Sequence, residues 1–139
     1  MSMELLANHI IAVAQENNLT ITNLQLQKIL YFCIKISKIE TLYTIEELED
    51  IYDSNFYVWQ YGPVIPDIYM EFKKFSSEPI IGKFNKSPNF ERLNDKIIDL
   101  LKVSAFKLVS LSHQVPFWKE HQEQIIGFRS DIAYGLNDI

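Results

Sequence analysis

Few side chains in this 139-residue sequence are of the types that bind metal ions or act as nucleophiles. The imidazoles and the thiol are His9, His113, His121 and Cys33. No two of them stand three or four positions apart, the spacing that places two ligands on one face of a helix. Cys33 could in principle pair with a histidine as a nucleophile, but it falls within an apolar helical stripe, where a small buried thiol is the common explanation. We therefore expect no metal site and no catalysis by Cys33.

Carboxylate pairs such as Glu46 and Asp50 could in principle do acid–base work, but nothing flanking them suggests a pocket that would shift their pKa values. The glycine-rich phosphate loops, the H-E-x-x-H zinc motif and the G-x-S-x-G nucleophile motif are also missing. The sequence therefore favours a binding protein that is not an enzyme and has no cofactor. An enzyme remains an alternative, in which Lys28, Tyr31 and His113 would converge on a pocket after folding.

Residues 59–66, Trp-Gln-Tyr-Gly-Pro-Val-Ile-Pro, form the stretch with the most individual composition, because two large rings stand beside a rigid turn. In the favoured interpretation, Trp59 packs into the core and the turn fixes the entry to the next helix. In the other interpretation, the rings form a hot spot for a protein partner. Residues 113–118, His-Gln-Val-Pro-Phe-Trp, similarly indicate a packed helix corner rather than a ligand site.

The composition is that of a folded domain with mostly helical structure. Hydrophobic residues make up 47% and aromatic residues 13%, which is enough for one core in a chain of single-domain length. Only 4 Gly and 5 Pro occur, which disfavours an all-β fold with many tight turns. No run approaches the roughly 18 apolar residues of a membrane span, and the N-terminal residues lack the pattern of a signal peptide. We expect one domain over residues 1–139, located in the cytoplasm.

The acidic residues are concentrated in the middle of the chain. The formal net charge is −5, and eight acidic residues but no Lys or Arg lie between Ile39 and Phe72. This balance disfavours nucleic acid as a partner. The acidic block is interpreted first as a solvated face and second as a surface that attracts a basic protein. The candidate contacts in that second interpretation are Glu46, Glu47, Glu49 and Asp50.

Hydrophobic periodicity predicts the main helices. The first covers residues 3–16 and the second residues 23–37, which begins with a capping box formed by Thr22 and Gln25. The second helix carries apolar residues on most sides, so it is predicted to be central. A second capping box predicts a short acidic helix over residues 45–50. Further helices are expected after Pro66, Ser87, Ser104, Pro116 and Ser130.

The strand signals are fewer. Residues 55–60 are rich in aromatic and β-branched side chains and predict a strand that ends before Gly62-Pro63. A second short strand is predicted over residues 79–84. The predicted fold is therefore mainly α, a single compact domain of about six or seven helices with a small β element of two or three short strands.

Three segments, taken in order, resemble the motifs of the Panacea antitoxin domain family. They are Leu26-Gln27-Lys28-Ile29-Leu30-Tyr31-Phe32, then Trp59-Gln60-Tyr61-Gly62-Pro63-Val64, then Ser112-His113 with Trp118. Each is weak alone, but together they are fairly specific and span nearly the whole chain. The sequence departs from the family pattern in that Phe117 separates Pro116 from Trp118, and its acidic stretch before Asn55 is longer.

The resemblance implies a bacterial or phage protein, since the family includes SocA-like antitoxins and phage-associated GepA-like proteins. Such a protein binds a cognate protein toxin directly and neutralises it. The alternative, implied by SocA-like adaptors, is delivery of the toxin to an ATP-dependent protease, with a protease complex as a second partner. The candidate partner-binding residues outside the acidic block are Tyr31, Trp59, Tyr61, Pro63, His113 and Trp118.

Overall fold

Seven α-helices and a two-stranded antiparallel sheet make up the fold in the computed structural model, which describes residues Met1–Ile139. The helices are α1 (Met3–Glu16), α2 (Asn23–Ile39), α3 (Ile45–Ile51), α4 (Pro66–Phe72), α5 (Asn94–Leu101), α6 (Ala105–His113) and α7 (Pro116–His121). The strands are β1 (Tyr57–Trp59) and β2 (Gly62–Val64). The prediction of a mainly α domain with a small β element is confirmed. No helix has both the length and the hydropathy to cross a bilayer.

Helix α2 is central, as predicted, and lies against α1, α4, α5, α6 and β2. Its capping box is formed: Thr22 Oγ1 accepts from the Gln25 amide at 3.3 Å, and Gln25 Oε1 accepts from the Thr22 amide at 2.9 Å. Cys33 is buried within the helix, and this burial raises the pKa of its thiol to about 12, so the sulfur stays protonated. The interpretation of Cys33 as a small core residue agrees with this position.

Helix α3 is the predicted short acidic helix. Thr44 Oγ1 accepts from the Glu47 amide at 3.1 Å, and Glu47 Oε1 accepts from the Thr44 amide at 2.9 Å, which completes the second capping box. Leu48 and Ile51 are buried beneath the helix. Glu47 therefore has a structural role at the start of α3.

The prediction of a strand over residues 79–84 is wrong. The sheet has only two strands, and the partner of β1 is β2, the segment that directly follows it in the chain. Tyr57 is opposite Val64, and Trp59 is opposite Gly62, so the break expected at Gly62-Pro63 is instead the beginning of β2. Residues 79–84 form an irregular connection in which only Ile80 is buried; its amide donates to Ile21 O at 2.8 Å.

The prediction of a helix that begins at Ser130 is also wrong. Residues 128–134 instead run beside the outer edge of β1, where the Gln60 amide donates to Phe128 O and the Val58 amide donates to Ile132 O, both at 2.9 Å. Ser130 Oγ donates to Val58 O at 2.6 Å, so its hydroxyl serves the strand edge. Backbone amides at a strand edge need acceptors, and this pairing supplies them.

The helix predicted after Ser87 begins later than expected. Pro88–Leu93 form 3₁₀ turns, the Ser87 side chain makes no capping bond, and α5 starts only at Asn94. Ser104 and Pro116 open α6 and α7 as predicted, the first through a hydroxyl that accepts from the Lys107 amide.

Candidate functional site

The hairpin of β1 and β2 is held from one side by helix α2. Lys28 Nζ donates to Pro63 O at 2.7 Å, and Gln27 Oε1 accepts from the Ile65 amide at 3.0 Å. Gln27 is itself fixed by a bond from its Nε2 to Asn23 Oδ1 at 3.1 Å. Lys28 is fully buried without an ion-pair partner, and this burial lowers the pKa of its amine to about 7. Two neighbouring polar side chains of α2 thus hold the second strand in place.

Helices α6 and α7 hold the hairpin from another side. Trp118 Nε1 donates to Trp59 O at 2.9 Å, and His113 Nε2 lies 3.0 Å from Gln60 O. The rings of His113 and Trp118 stack with their centroids 3.7 Å apart. Desolvation by burial lowers the pKa of His113, which favours the neutral imidazole with its proton directed at the carbonyl.

Gly62 is the point of closest approach between the hairpin and the helices. Its φ of +98° is one that side-chain-bearing residues rarely adopt. A Cβ at this position would lie 2.3 Å from Ser112 Oγ and 2.9 Å from Lys28 Cε. Only glycine therefore fits between α2 and α6 in this arrangement.

The six predicted partner-binding residues outside the acidic block lie at or near this hairpin, but most of them point inward. Tyr31 is 0% exposed and Trp59 is 5% exposed, while Pro63 and Trp118 are also buried. These four side chains support the hairpin region from within. Tyr61, in the turn, is 53% exposed. The sheet and helix corner thus have the packed geometry favoured from the sequence, with one ring left at the surface.

The acidic candidates on α3 occupy different environments. Glu46 and Glu49 are exposed, and Asp50 Oδ2 accepts from the Met1 amino group at 3.1 Å. Glu47 is partly buried at its capping position. Of the four, Glu46 and Glu49 can therefore be changed with the least effect on local structure.

An apolar groove of about 420 Å³ opens beside the exposed turn. The Trp59 ring forms edge-to-face contacts with Tyr69, at 5.2 Å, and with Phe128, at 6.0 Å. The sequence did not single out Phe128; its only signal was an aromatic residue beside Ile126 and Gly127 in an otherwise polar segment. The apolar side chains that line the apolar groove are Leu24, Trp59, Tyr61, Val64, Tyr69 and Phe128.

Trp59 also lines a polar hollow of about 490 Å³. A second hollow of about 320 Å³ adjoins it and shares Asp53, Ser54 and Asp67. Arg129, whose guanidinium lies 4.7 Å from the centre of the Trp59 ring, is the only basic residue along either hollow. We refer to the two hollows together as the acidic cavity; its carboxylates are Glu4, Asp53, Asp67, Glu71 and Asp131.

The residues with potential catalytic chemistry are used in hydrogen bonds and packing within the protein. Lys28 and His113 bond to hairpin carbonyls, whereas Tyr31 packs against the rings of Phe56 and Tyr134. None of these three candidates lines the apolar groove or the acidic cavity. No group of three His, Cys, Asp or Glu side chains is placed to hold a metal ion.

The fold and the site define a small helical domain that displays a rigidly supported hairpin beside an apolar groove. Residues 26–119 match the family described as "Antitoxin SocA-like, Panacea domain". The match covers more than half of the chain and includes all three motifs, so the protein belongs to this family. Neither the curated proteins nor the solved structures provide a match. Family membership supports a toxin–antitoxin-related, non-enzymatic role with a protein toxin as the partner.

Proposed function

We propose that this protein is the antitoxin of a bacterial or phage toxin–antitoxin pair and neutralises its cognate toxin by binding to it directly in the cytoplasm. The observation that carries the proposal is the convergence of all three family motifs on one hairpin. Lys28 from the first motif and Trp118 from the third both bond to carbonyls of the second. The polar groups of the motifs are thus used to fix a hairpin whose turn residues, Gln60 and Tyr61, are exposed.

A rigid surface element is suited to stoichiometric binding, because little conformational freedom is lost when a partner docks. Tyr61 presents half of its side chain at the turn, and aromatic rings of this kind are common binding anchors. The acidic residues of the central block, including Glu46 and Glu49, add a charge that would attract a basic toxin surface. Together these features support masking of the toxin.

The proposal is tested by inducing the adjacent reading frame in bacterial cells with and without this protein, followed by pull-down of the pair. We expect growth arrest without the protein, rescue with it, and a stable complex. Absence of both toxicity and a complex would overturn the proposal. The same rescue is repeated in strains that lack individual ATP-dependent proteases. Rescue that disappears in one of them would replace masking by delivery of the toxin for degradation.

A further inference from the structure

We propose that the apolar groove is the docking site for a toxin segment in which a bulky apolar side chain stands next to a lysine or arginine. This inference rests on the proposed function and names the recognition chemistry of its surface. The groove volume of about 420 Å³ lies in the range of sites that enclose an organic group. Two of its rings, Tyr61 and Phe128, are 53% and 47% exposed. Adjoining exposed rings in a concave surface are typical of interaction sites.

The polar groups at the base of the groove are already used within the protein. Asn23 Nδ2 donates to Tyr69 O at 3.1 Å, and its Oδ1 accepts from Gln27 Nε2. Gln27 Oε1 accepts from the Ile65 amide. Because these amides are satisfied, the base offers little to a polar group, which would lose its hydration on entry. The geometry therefore favours an aliphatic or aromatic side chain as the occupant.

The charge around the groove determines which residues of the toxin segment can stand next to the docked apolar side chain. Trp59 lines both the groove and the acidic cavity, and the acidic cavity holds five carboxylates against the single guanidinium of Arg129. Burial, and then the nearby Glu4, raise the pKa of Glu71, while the charge of Lys74 lowers it. Lys73 is the one charged residue that lines the groove itself. A segment whose basic residue lies toward the acidic cavity and away from Lys73 complements this distribution.

Phe128 forms one wall of the groove, and the guanidinium of Arg129 lies 5.0 Å from the centre of the Phe128 ring. These residues lie outside the family match at 26–119, whereas Trp59, Tyr61 and Tyr69 lie within it. The wall is fixed to the hairpin by the bond from the Gln60 amide to Phe128 O. A family scaffold is thus completed by a separate segment, which can determine which toxin is accepted.

The first experiment uses the full chain as bait for a displayed library of short random peptides. We expect enrichment of peptides with a bulky apolar residue next to Lys or Arg. Their affinity should fall about tenfold or more in Tyr61→Asp and Phe128→Asp. Phe106→Asp is the matched control, since Phe106 is a 77% exposed ring on α6 that does not line the groove. No enrichment, enrichment of acidic peptides, or binding that survives both groove substitutions would overturn the inference.

A charge series tests the flanking residue separately. Asp67→Asn combined with Asp131→Asn should weaken the selected peptides and reduce the salt dependence of binding. Asp95→Asn with Asp99→Asn, on the exposed face of α5, is the control pair and should change neither. Equal losses in the two pairs would refute a local role of the acidic cavity.

The same groove variants are then used in the growth-rescue assay. If the groove selects the expected peptides but the wild-type protein does not rescue growth, the antitoxin function is contradicted and the recognition chemistry of the groove is supported. Rescue and complex formation that persist in Tyr61→Asp and Phe128→Asp would keep the function and overturn the docking site. Sedimentation of the free protein provides a further check: a dimer abolished by Tyr61→Asp would identify a second copy as the occupant and also overturn the inference.

Discussion

Replacement of Gly62 by alanine tests whether the hairpin is locked between α2 and α6. The new methyl group would lie 2.3 Å from Ser112 Oγ and 2.9 Å from Lys28 Cε, far inside van der Waals contact. Neither neighbour can easily move, because Ser112 Oγ donates to Val109 O at 2.7 Å and Lys28 Nζ donates to Pro63 O at 2.7 Å. The substitution should therefore strain the backbone and also disturb two buried hydrogen bonds.

The expected loss of stability is the sum of these effects. A non-glycine residue at positive φ costs about 1–2 kcal/mol. Displacing the Ser112 hydroxyl leaves buried polar groups unsatisfied, at about 1–3 kcal/mol, and the remaining overpacking against Lys28 adds a similar amount. We expect the free energy of unfolding to fall by about 4 kcal/mol, which lowers Tm by roughly 12 °C for a chain of this size.

Urea unfolding followed by tryptophan fluorescence is the direct measurement, since Trp59 and Trp118 both contact the hairpin region. Gly127→Ala is the control: its φ is +70° but no atom would lie within 4 Å of the new Cβ, so only the conformational cost remains. Adding Ser112→Ala to Gly62→Ala should recover part of the loss. The reasoning is refuted if Gly62→Ala destabilises the protein no more than Gly127→Ala does.

Three further predictions concern the same framework. Because the pKa of buried Lys28 is about 7 in the folded protein and 10.5 in the unfolded chain, only the unfolded chain keeps this proton between those values. Stability should therefore rise from pH 7 to about pH 8.5 by up to about 1.4 kcal/mol per pH unit, and urea titrations should show this slope disappear in Lys28→Met. Trp118→Phe removes the buried bond to Trp59 O and should cost about 1–3 kcal/mol in thermal unfolding; no measurable loss would contradict that role. Glu46→Lys with Glu49→Lys should weaken toxin binding while Tm stays near that of the wild type, and unchanged affinity would remove α3 from the toxin-binding surface.

The helical framework was predictable because its signals are local. The Thr22–Gln25 and Thr44–Glu47 capping boxes each lie within four consecutive residues, and both form as expected. Pro116 likewise opens α7, where a missing amide donor costs nothing. In these places the chain's own neighbours satisfy the backbone, so the sequence contains the needed information.

The hairpin could not be predicted in the same way, because distant residues stabilise it. Local propensity predicts a break at Pro63, but within β2 its carbonyl is satisfied by Lys28, which lies 35 positions earlier. Ser130 carries a helix-capping side chain, but the edge of β1 supplies a partner at Val58, 72 positions away. At both residues, tertiary contacts override the local propensity.

The candidate site also combines features that are predictable from local sequence with features that depend on distant contacts. Trp59, Tyr61 and Trp118 could be recognised as unusual from their types, but the sequence does not reveal that Trp118 bonds to the Trp59 carbonyl or that Tyr61 alone of these three is exposed. Phe128 enters the groove only because the segment after α7 folds back along β1. Side-chain chemistry was therefore predictable, while orientation depended on the assembled fold.

Stability and recognition rest on different residues in this protein. The hairpin depends on buried groups such as Gly62 and Lys28, where a substitution should cost several kcal/mol. The groove and the acidic cavity are lined in part by exposed side chains, among them Tyr61, Phe128 and Asp131. Substitutions of exposed residues typically alter the free energy of unfolding by about 0.5 kcal/mol or less. Exposed residues can thus vary without unfolding the domain. This separation would allow one scaffold to present different surfaces to different toxins.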